Sequence, residues 1–195
     1  MTFRLGLTGS IGMGKSTTAQ MFRDAGHPVW DADEAVHRLY GPQGAAVAPV
    51  AAVFPAAMHE GGIDRKALKA AIAADPAALD RLSAIVHPIV AADRDAFVAR
   101  HKDAPLVVLD IPLLYENGYQ ALLDGVAVVS ADADTQRRRV MSRPGMTDDL
   151  LALVLSRQMP DAEKRTRADW IIPTDTLDGA RRAVNRIAKE IADRA

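Results

Sequence analysis

Five short apolar segments stand out along the chain and read as β-strands: Phe3–Thr8, Pro28–Asp31, Leu106–Asp110, Val126–Ser130 and Trp170–Ile172. Several are continuously apolar rather than alternating, the pattern of parallel strands covered on both faces. Stretches of helical periodicity separate them, which predicts an α/β fold with a parallel sheet and right-handed crossovers. The last stretch places Val184, Ile187, Ala188 and Ile191 at helical spacing, so an amphipathic helix closes the chain. Trp30 and Trp170 fall in strands and read as core.

Residues 34–104 break this rhythm. They are alanine-rich, carry Leu79, Leu82, Ile85, Val86 and Ile89 at helical intervals, and contain no convincing strand. About seventy residues exceed what one crossover helix needs, so they predict a helical insertion that holds a ligand at the sheet's edge. Pro and Gly at 41–44, 55–62, 76 and 88 divide it into several helices. A second helical piece runs from about Thr135 to Gln158, interrupted at Arg143-Pro144-Gly145, where a mobile lid would attach. The resulting division is a core over about 1–33, 105–134 and 168–195, an insertion over 34–104 and a lid over 135–167.

The first strand runs into Gly9-Ser10-Ile11-Gly12-Met13-Gly14-Lys15-Ser16, the spelling G-x-x-x-x-G-K-S. With this chain's residue frequencies the pattern arises by chance only roughly 0.002 times, and strand before with helix after is its required context. Glycines let the loop turn with its N–H groups inward, and those donors lie at a helix start where an anion is favoured. A nucleoside triphosphate is therefore expected at Gly9, Ile11, Gly12, Met13, Gly14, Lys15, Ser16 and Thr17. Lys15 would reach the β- and γ-phosphates and the Ser16 hydroxyl a magnesium ion.

Two further strands end in acids. Asp31 and Asp33 are two apart, which on an extended backbone puts them on one face. A carboxylate at that edge can take a proton from an attacking hydroxyl or help hold magnesium, and an Asp there can also simply cap the next helix. Asp110 is the acid that ends the third strand, placed to act on magnesium or its waters, or as a turn residue. Arg139 and Arg143, four apart, would share a helix face and stabilise charge on a transferring phosphoryl group, while Arg137 and Arg138 fan out. His37, four after Asp33, would face the same cleft; His87 precedes Pro88 and marks a helix boundary. The five histidines lack metal-ligand spacing.

Composition narrows the class without choosing the substrate. The chain has 195 residues, 49% hydrophobic and 25% charged, a net charge of −1 and no cysteine. No global field draws it to nucleic acid or a membrane, disulfides and Cys-ligated zinc are excluded, and no apolar run spans a bilayer. Without a basic segment followed by an apolar signal region, a cytoplasmic location is expected. Guanine-reading N-K-x-D and switch D-x-x-G spellings are both absent, which counts against a GTP-dependent switch.

Taken together, "LTGSIGMGKST" from Leu7, "DADEAVH" from Asp31, His87-Pro88, "DIPLLYEN" from Asp110, "QRRRVMSR" from Gln136 and "QMPDAEKRTRAD" from Gln158 resemble the dephospho-CoA kinase family over nearly the whole chain. The resemblance implies a three-layer P-loop kinase core with a five-stranded parallel sheet, an inserted helical substrate-binding subdomain and a helical lid. It implies transfer of the γ-phosphate of ATP to the 3′-hydroxyl of the dephospho-CoA ribose, with Mg2+, and ATP and dephospho-CoA as small-molecule partners. Asp33 would be the base, with Lys15, Arg139 and Arg143 catalytic. Asp33, His37, His87, Asp110 and Leu114 would touch the acceptor, and Ser16 and Asp110 the metal. Thr174 and Thr176 stand where the family commonly has an Asn and a Gly near the adenine, and Val154 where it often has an arginine. Within the same core, a nucleoside or nucleoside monophosphate kinase is the alternative.

Overall fold

The computed structural model describes residues 2–75 and 77–194. In chain order its elements are β1 (Phe3–Thr8), α1 (Lys15–Asp24), β2 (Val29–Asp31), α2 (Ala32–Tyr40), α3 (Val47–Val53), β3 (Met58–His59), β4 (Gly62–Ile63) and α4 (Arg65–Ala74). They continue as α5 (Ala78–Arg100), β5 (Leu106–Asp110), β6 (Gly125–Ser130), α6 (Ala133–Met141), α7 (Asp148–Ser156), α8 (Asp161–Arg167), β7 (Trp170–Pro173) and α9 (Leu177–Ala192). The chain divides into two compact units, Asp31–Arg100 and the remainder.

The larger unit is built on a five-stranded parallel sheet in the order β2-β5-β1-β6-β7. β1 pairs in parallel with both β5 and β6, and Leu7 lies opposite Asp110. Every residue of β5 and of β6 is buried, which is why these strands are continuously apolar in sequence. On one face Leu5, Leu7, Leu106, Val108, Ala127, Val129 and Ile172 pack against Ala19, Met21 and Phe22 of α1 and Ala180, Val184, Ile187 and Ile191 of α9. On the other, Leu114 and Leu123 close over Gly6, where an added Cβ would lie 2.7 and 2.4 Å from their methyl carbons. The α/β class, the five strands and the closing amphipathic helix are thus as the hydrophobic pattern predicts.

The smaller unit has its own core. Leu39, Tyr40, Val47, Val50, Phe54, Ile63, Leu68, Leu82 and Val86 form one buried cluster, and Arg38 on α2 pairs with Asp93 on α5 at 3.0 Å. Here the structure departs from the sequence reading in three places. Pro88 does not end a helix; it lies inside the 23-residue α5, on an exposed position. The lost bond and the ring clash cost about 3 kcal/mol, and the apolar contacts of Leu82, Val86 and their neighbours on both sides of Pro88 outweigh it. Residues 58–63 form a two-stranded hairpin whose turn, Glu60-Gly61, has φ of 46° and 80°, the doubly positive pair of a type I′ turn. Asp33 is not on a strand: the Asp31 carboxylate accepts from the backbone N–H groups of Asp33 and Glu34 at 2.8 and 3.0 Å and starts α2 there. The expected break at Pro76 lies outside the described residues.

Among the described residues, no helix is long and apolar enough to cross a membrane. Phe22 is fully buried where α1 meets the sheet, so Phe22→Ala is expected to lower the unfolding free energy in urea by roughly 3–5 kcal/mol.

Candidate active site

The site of the larger unit begins where β1 gives way to α1. Helices α2, α4, α6, α7 and α9 each start under a side-chain cap, from Asp31, Asp64, Asp132, Thr147 and Thr176. Helix α1 starts instead at Gly14, in the left-handed region at φ 90°, with no side-chain cap and no acid in its first turn. Its leading N–H groups and positive dipole end therefore remain available to an anion. Gly12 is also left-handed, at φ 78°, and a Cβ there would lie 2.5 Å from the Val140 side chain and 3.0 Å from the Gln136 carbonyl oxygen. Only glycine fits between the loop and α6.

The loop is held from outside by side chains. Gln136 Nε2 donates to the Ile11 carbonyl at 2.8 Å, and the Ile11 N–H donates to Gln158 Oε1 at 3.0 Å. The Thr174 hydroxyl, buried at the end of β7, donates to the Met13 carbonyl at 2.7 Å. Arg139 in turn donates to the Thr174 carbonyl at 2.6 Å. Next to the loop, Lys15 Nζ meets Oδ1 of the fully buried Asp110 at 2.5 Å. That pair joins the first residue of α1 to the last residue of β5.

Six residues after Asp110, Glu116 forms an ion pair with Lys164 at 2.8 Å, with Lys164 wholly buried. Burial is the largest influence on the Glu116 carboxyl and acts upward. The hydrogen bonds from Lys164 and the Met159 N–H nevertheless bring it below its usual value, so it is ionised at neutral pH. Burial also pushes the neighbouring Tyr115 hydroxyl up to about 12, with Asp169 acting the same way.

Of the residues singled out in the sequence, this unit brings together Gly9, Ile11, Gly12, Met13, Gly14, Lys15, Ser16, Thr17, Asp110 and Arg139. Ser16 and Thr17 are exposed. Arg143 does not share a helix face with Arg139: α6 ends at Met141, and Arg143 lies exposed in the turn beyond it. Leu114 is fully buried beneath Gly6, so its side chain belongs to the core and not to an acceptor surface. Thr176 is the cap of α9, and Val154 is half-buried on α7.

Asp33 and His37 belong to the smaller unit. Both are exposed on α2 and, with Glu34 and Arg38, line an open hollow of about 490 Å³. His37 also borders a second hollow of about 390 Å³ with Tyr40, His59, Glu60, Asp64 and Arg65. His87 is exposed on α5 and lines neither. The residues that sequence reasoning missed are Gln136, Gln158 and Thr174 as holders of the loop, and Lys164 with Glu116, whose carboxylate accepts from the N–H of the residue after Gln158. Neutral amides and hydroxyls that bond to backbone carry no spacing signature; only a lysine and a glutamate inside matched segments hinted at the ion pair.

A glycine-led, uncapped helix after the first strand of a parallel sheet, with its lysine paired to the acid ending the adjacent strand, defines a P-loop nucleotide-binding protein, and the family makes it a kinase. The chain belongs to the dephospho-CoA kinase family, whose model matches residues 3–178. It is 56% identical to a dephospho-CoA kinase of Jannaschia sp. over 99% of both chains. It is 57% identical to that of Cereibacter sphaeroides over 99% of this chain and 98% of the relative. A crystal structure from Thermus thermophilus superposes with a TM-score of 0.85 at 34% identity, covering 97% of each chain. These likenesses favour the dephospho-CoA reading over a nucleoside or nucleoside monophosphate kinase.

Removing the charge of Lys15 breaks its ion pair with the buried Asp110. Lys15→Met is expected to destabilise the ligand-free protein by roughly 3 kcal/mol in urea unfolding, and to abolish detectable binding of Mg-ADP in calorimetry.

Proposed function

We propose that this chain transfers the γ-phosphoryl group of ATP to the 3′-hydroxyl of the dephospho-CoA ribose, giving coenzyme A and ADP. The observation that carries the reading is the Lys15–Asp110 pair set against the uncapped, glycine-led start of α1; family membership supplies the acceptor. Backbone N–H groups of the loop hold the phosphates, and Lys15 offsets charge on the β- and γ-oxygens as it builds toward a loose transition state. The ribose oxygen bonds to the γ-phosphorus, the bond from that phosphorus to the β,γ-bridging oxygen breaks, and the hydroxyl proton passes to the Asp33 carboxylate. With so loose a transition state, aiming the hydroxyl is a large share of the work of Asp33.

Ser16 and Asp110 are the candidate magnesium donors. A hydroxyl and a carboxylate are hard oxygen ligands, which suits an ion that keeps several waters and takes phosphate oxygens; when bound it supplies charge neutralisation on the transferring group. The smaller unit is the acceptor-binding subdomain in this reading, with the hollows lined by Asp33, His37, Tyr40 and Arg65 as its binding surface. The region between α6 and α8 is the lid that excludes water, which would otherwise take the phosphoryl group. In this reading Arg143, exposed in that region, comes to the phosphates as the lid closes.

Asp33→Asn is expected to lower turnover by about 10²–10⁴-fold, while Mg-ADP binds as in the wild type. The check is steady-state kinetics beside a binding titration; near-normal turnover would remove Asp33 from the role of base.

A further inference from the structure

The two ends of the α6–α8 region converge on one residue of the phosphate loop. Gln136, near the start of α6, donates to the Ile11 carbonyl at 2.8 Å; Gln158, in the connector before α8, accepts from the Ile11 N–H at 3.0 Å. The backbone partners dictate how each amide faces, since an N–H needs an oxygen and a carbonyl needs an N–H. Both anchors are themselves fastened. On the α6 side, Val140 is fully buried against Gly12 and Arg139 is bonded to Thr174. On the other, the residue after Gln158 donates its N–H to Glu116 at 2.8 Å, and α8 is held by Lys164–Glu116 and by Ser130 Oγ on Asp161 at 2.7 Å. Between these anchors lie residues 142–157, which include Arg143 and the exposed Leu150, Leu153 and Leu155 of α7.

In a trans peptide the C=O and N–H point in opposite directions. With its carbonyl turned to Gln136, the Ile11–Gly12 peptide aims the Gly12 N–H away from α6; with its carbonyl turned to Thr174, the Met13–Gly14 peptide aims the Gly14 N–H away from the end of β7. We propose that Gln136 and Gln158 are positioning residues for phosphoryl transfer: they fix the two peptides that flank Ile11 so that the Gly12 N–H faces the phosphates, and they tie both roots of 142–157 to that spot, coupling phosphate occupancy to the order of the segment. The coupling is reciprocal, so a loop that holds phosphate steadies the segment and an ordered segment tightens the loop. The inference rests on the kinase reading above.

The test compares Gln136→Glu with Gln158→Glu. Both place the same charge beside Ile11, but only the first destroys the bond, because a carboxylate can still accept from the Ile11 N–H and cannot donate to its carbonyl. Gln136→Glu is expected to bind Mg-ADP, and to show a KM for ATP, about tenfold weaker than Gln158→Glu. Hydrogen exchange over 142–157 should slow at saturating Mg-ADP in the wild type and in Gln158→Glu, but not in Gln136→Glu. Equal affinities for the two variants, or equal slowing in all three proteins, would overturn the proposal. Should Gln136→Glu fail to fold, Gln136→Leu carries the same expectation against the wild type. None of the Mg-ADP readouts involves the acceptor, so a wild type that ignores dephospho-CoA would defeat the acceptor assignment and leave this inference standing or falling on its own.

Discussion

A cradle made of main-chain N–H groups can exist only if the carbonyls of the same peptides are satisfied somewhere else. That constraint organises the larger unit. The loop after β1 has a backbone bond of its own, from the Met13 N–H to the Ser10 carbonyl at 3.2 Å, and its carbonyls at Ile11 and Met13 are taken by Gln136 and Thr174. Helix α1 contributes its uncapped end, β5 contributes the acid that faces Lys15, and the close fit of α6 on Gly12 leaves no room for a side chain. Each element that touches the loop supplies a donor, a counter-charge or a wall.

Beneath this lies the sheet. Parallel strands buried on both faces need helices on both sides, and α1 and α9 fill one face with a single cluster that includes Phe22 and Ile187. The same strand ends deliver Gly9, Asp110 and Thr174 to one edge, where open α/β sheets gather their ligands. Buried charge is placed sparingly and in pairs: Asp110 with Lys15, and Glu116 with Lys164. Breaking either pair takes a close counter-charge from a buried ion, and at Lys15 stability and phosphate binding draw on the same residue.

Much of this was legible in the chain itself. Fully buried parallel strands are continuous apolar runs, so all five strands of the large sheet could be placed from hydrophobicity, and the glycine spelling located the loop. What escaped did so for physical reasons. The strands of the hairpin are two residues each, too short for any alternation, and depend on the left-handed pair Glu60-Gly61. Pro88 signals a helix end locally, yet packing on both sides of it prevails. Asp33 looked like a strand residue because the cap that starts α2 is the Asp31 side chain itself. Arg143 follows Arg139 at helical spacing, but α6 stops at Met141, so the two share no helix face. Leu114, in a matched segment, turned out to be core. Gln136 and Gln158 bond to backbone across 125 and 147 residues of sequence, a relation no local pattern reveals.

The central claim is that this loop delivers a phosphoryl group to a ribose 3′-oxygen. The most direct measurement is phosphorus and proton NMR of the product formed by the purified protein from Mg-ATP and dephospho-CoA, with nucleoside monophosphates offered in competition. The account predicts one new phosphate per ADP, attached at the 3′-position, and little or no phosphorylated nucleotide. A phosphate at any other position, or preferential phosphorylation of a competing nucleotide, would contradict it.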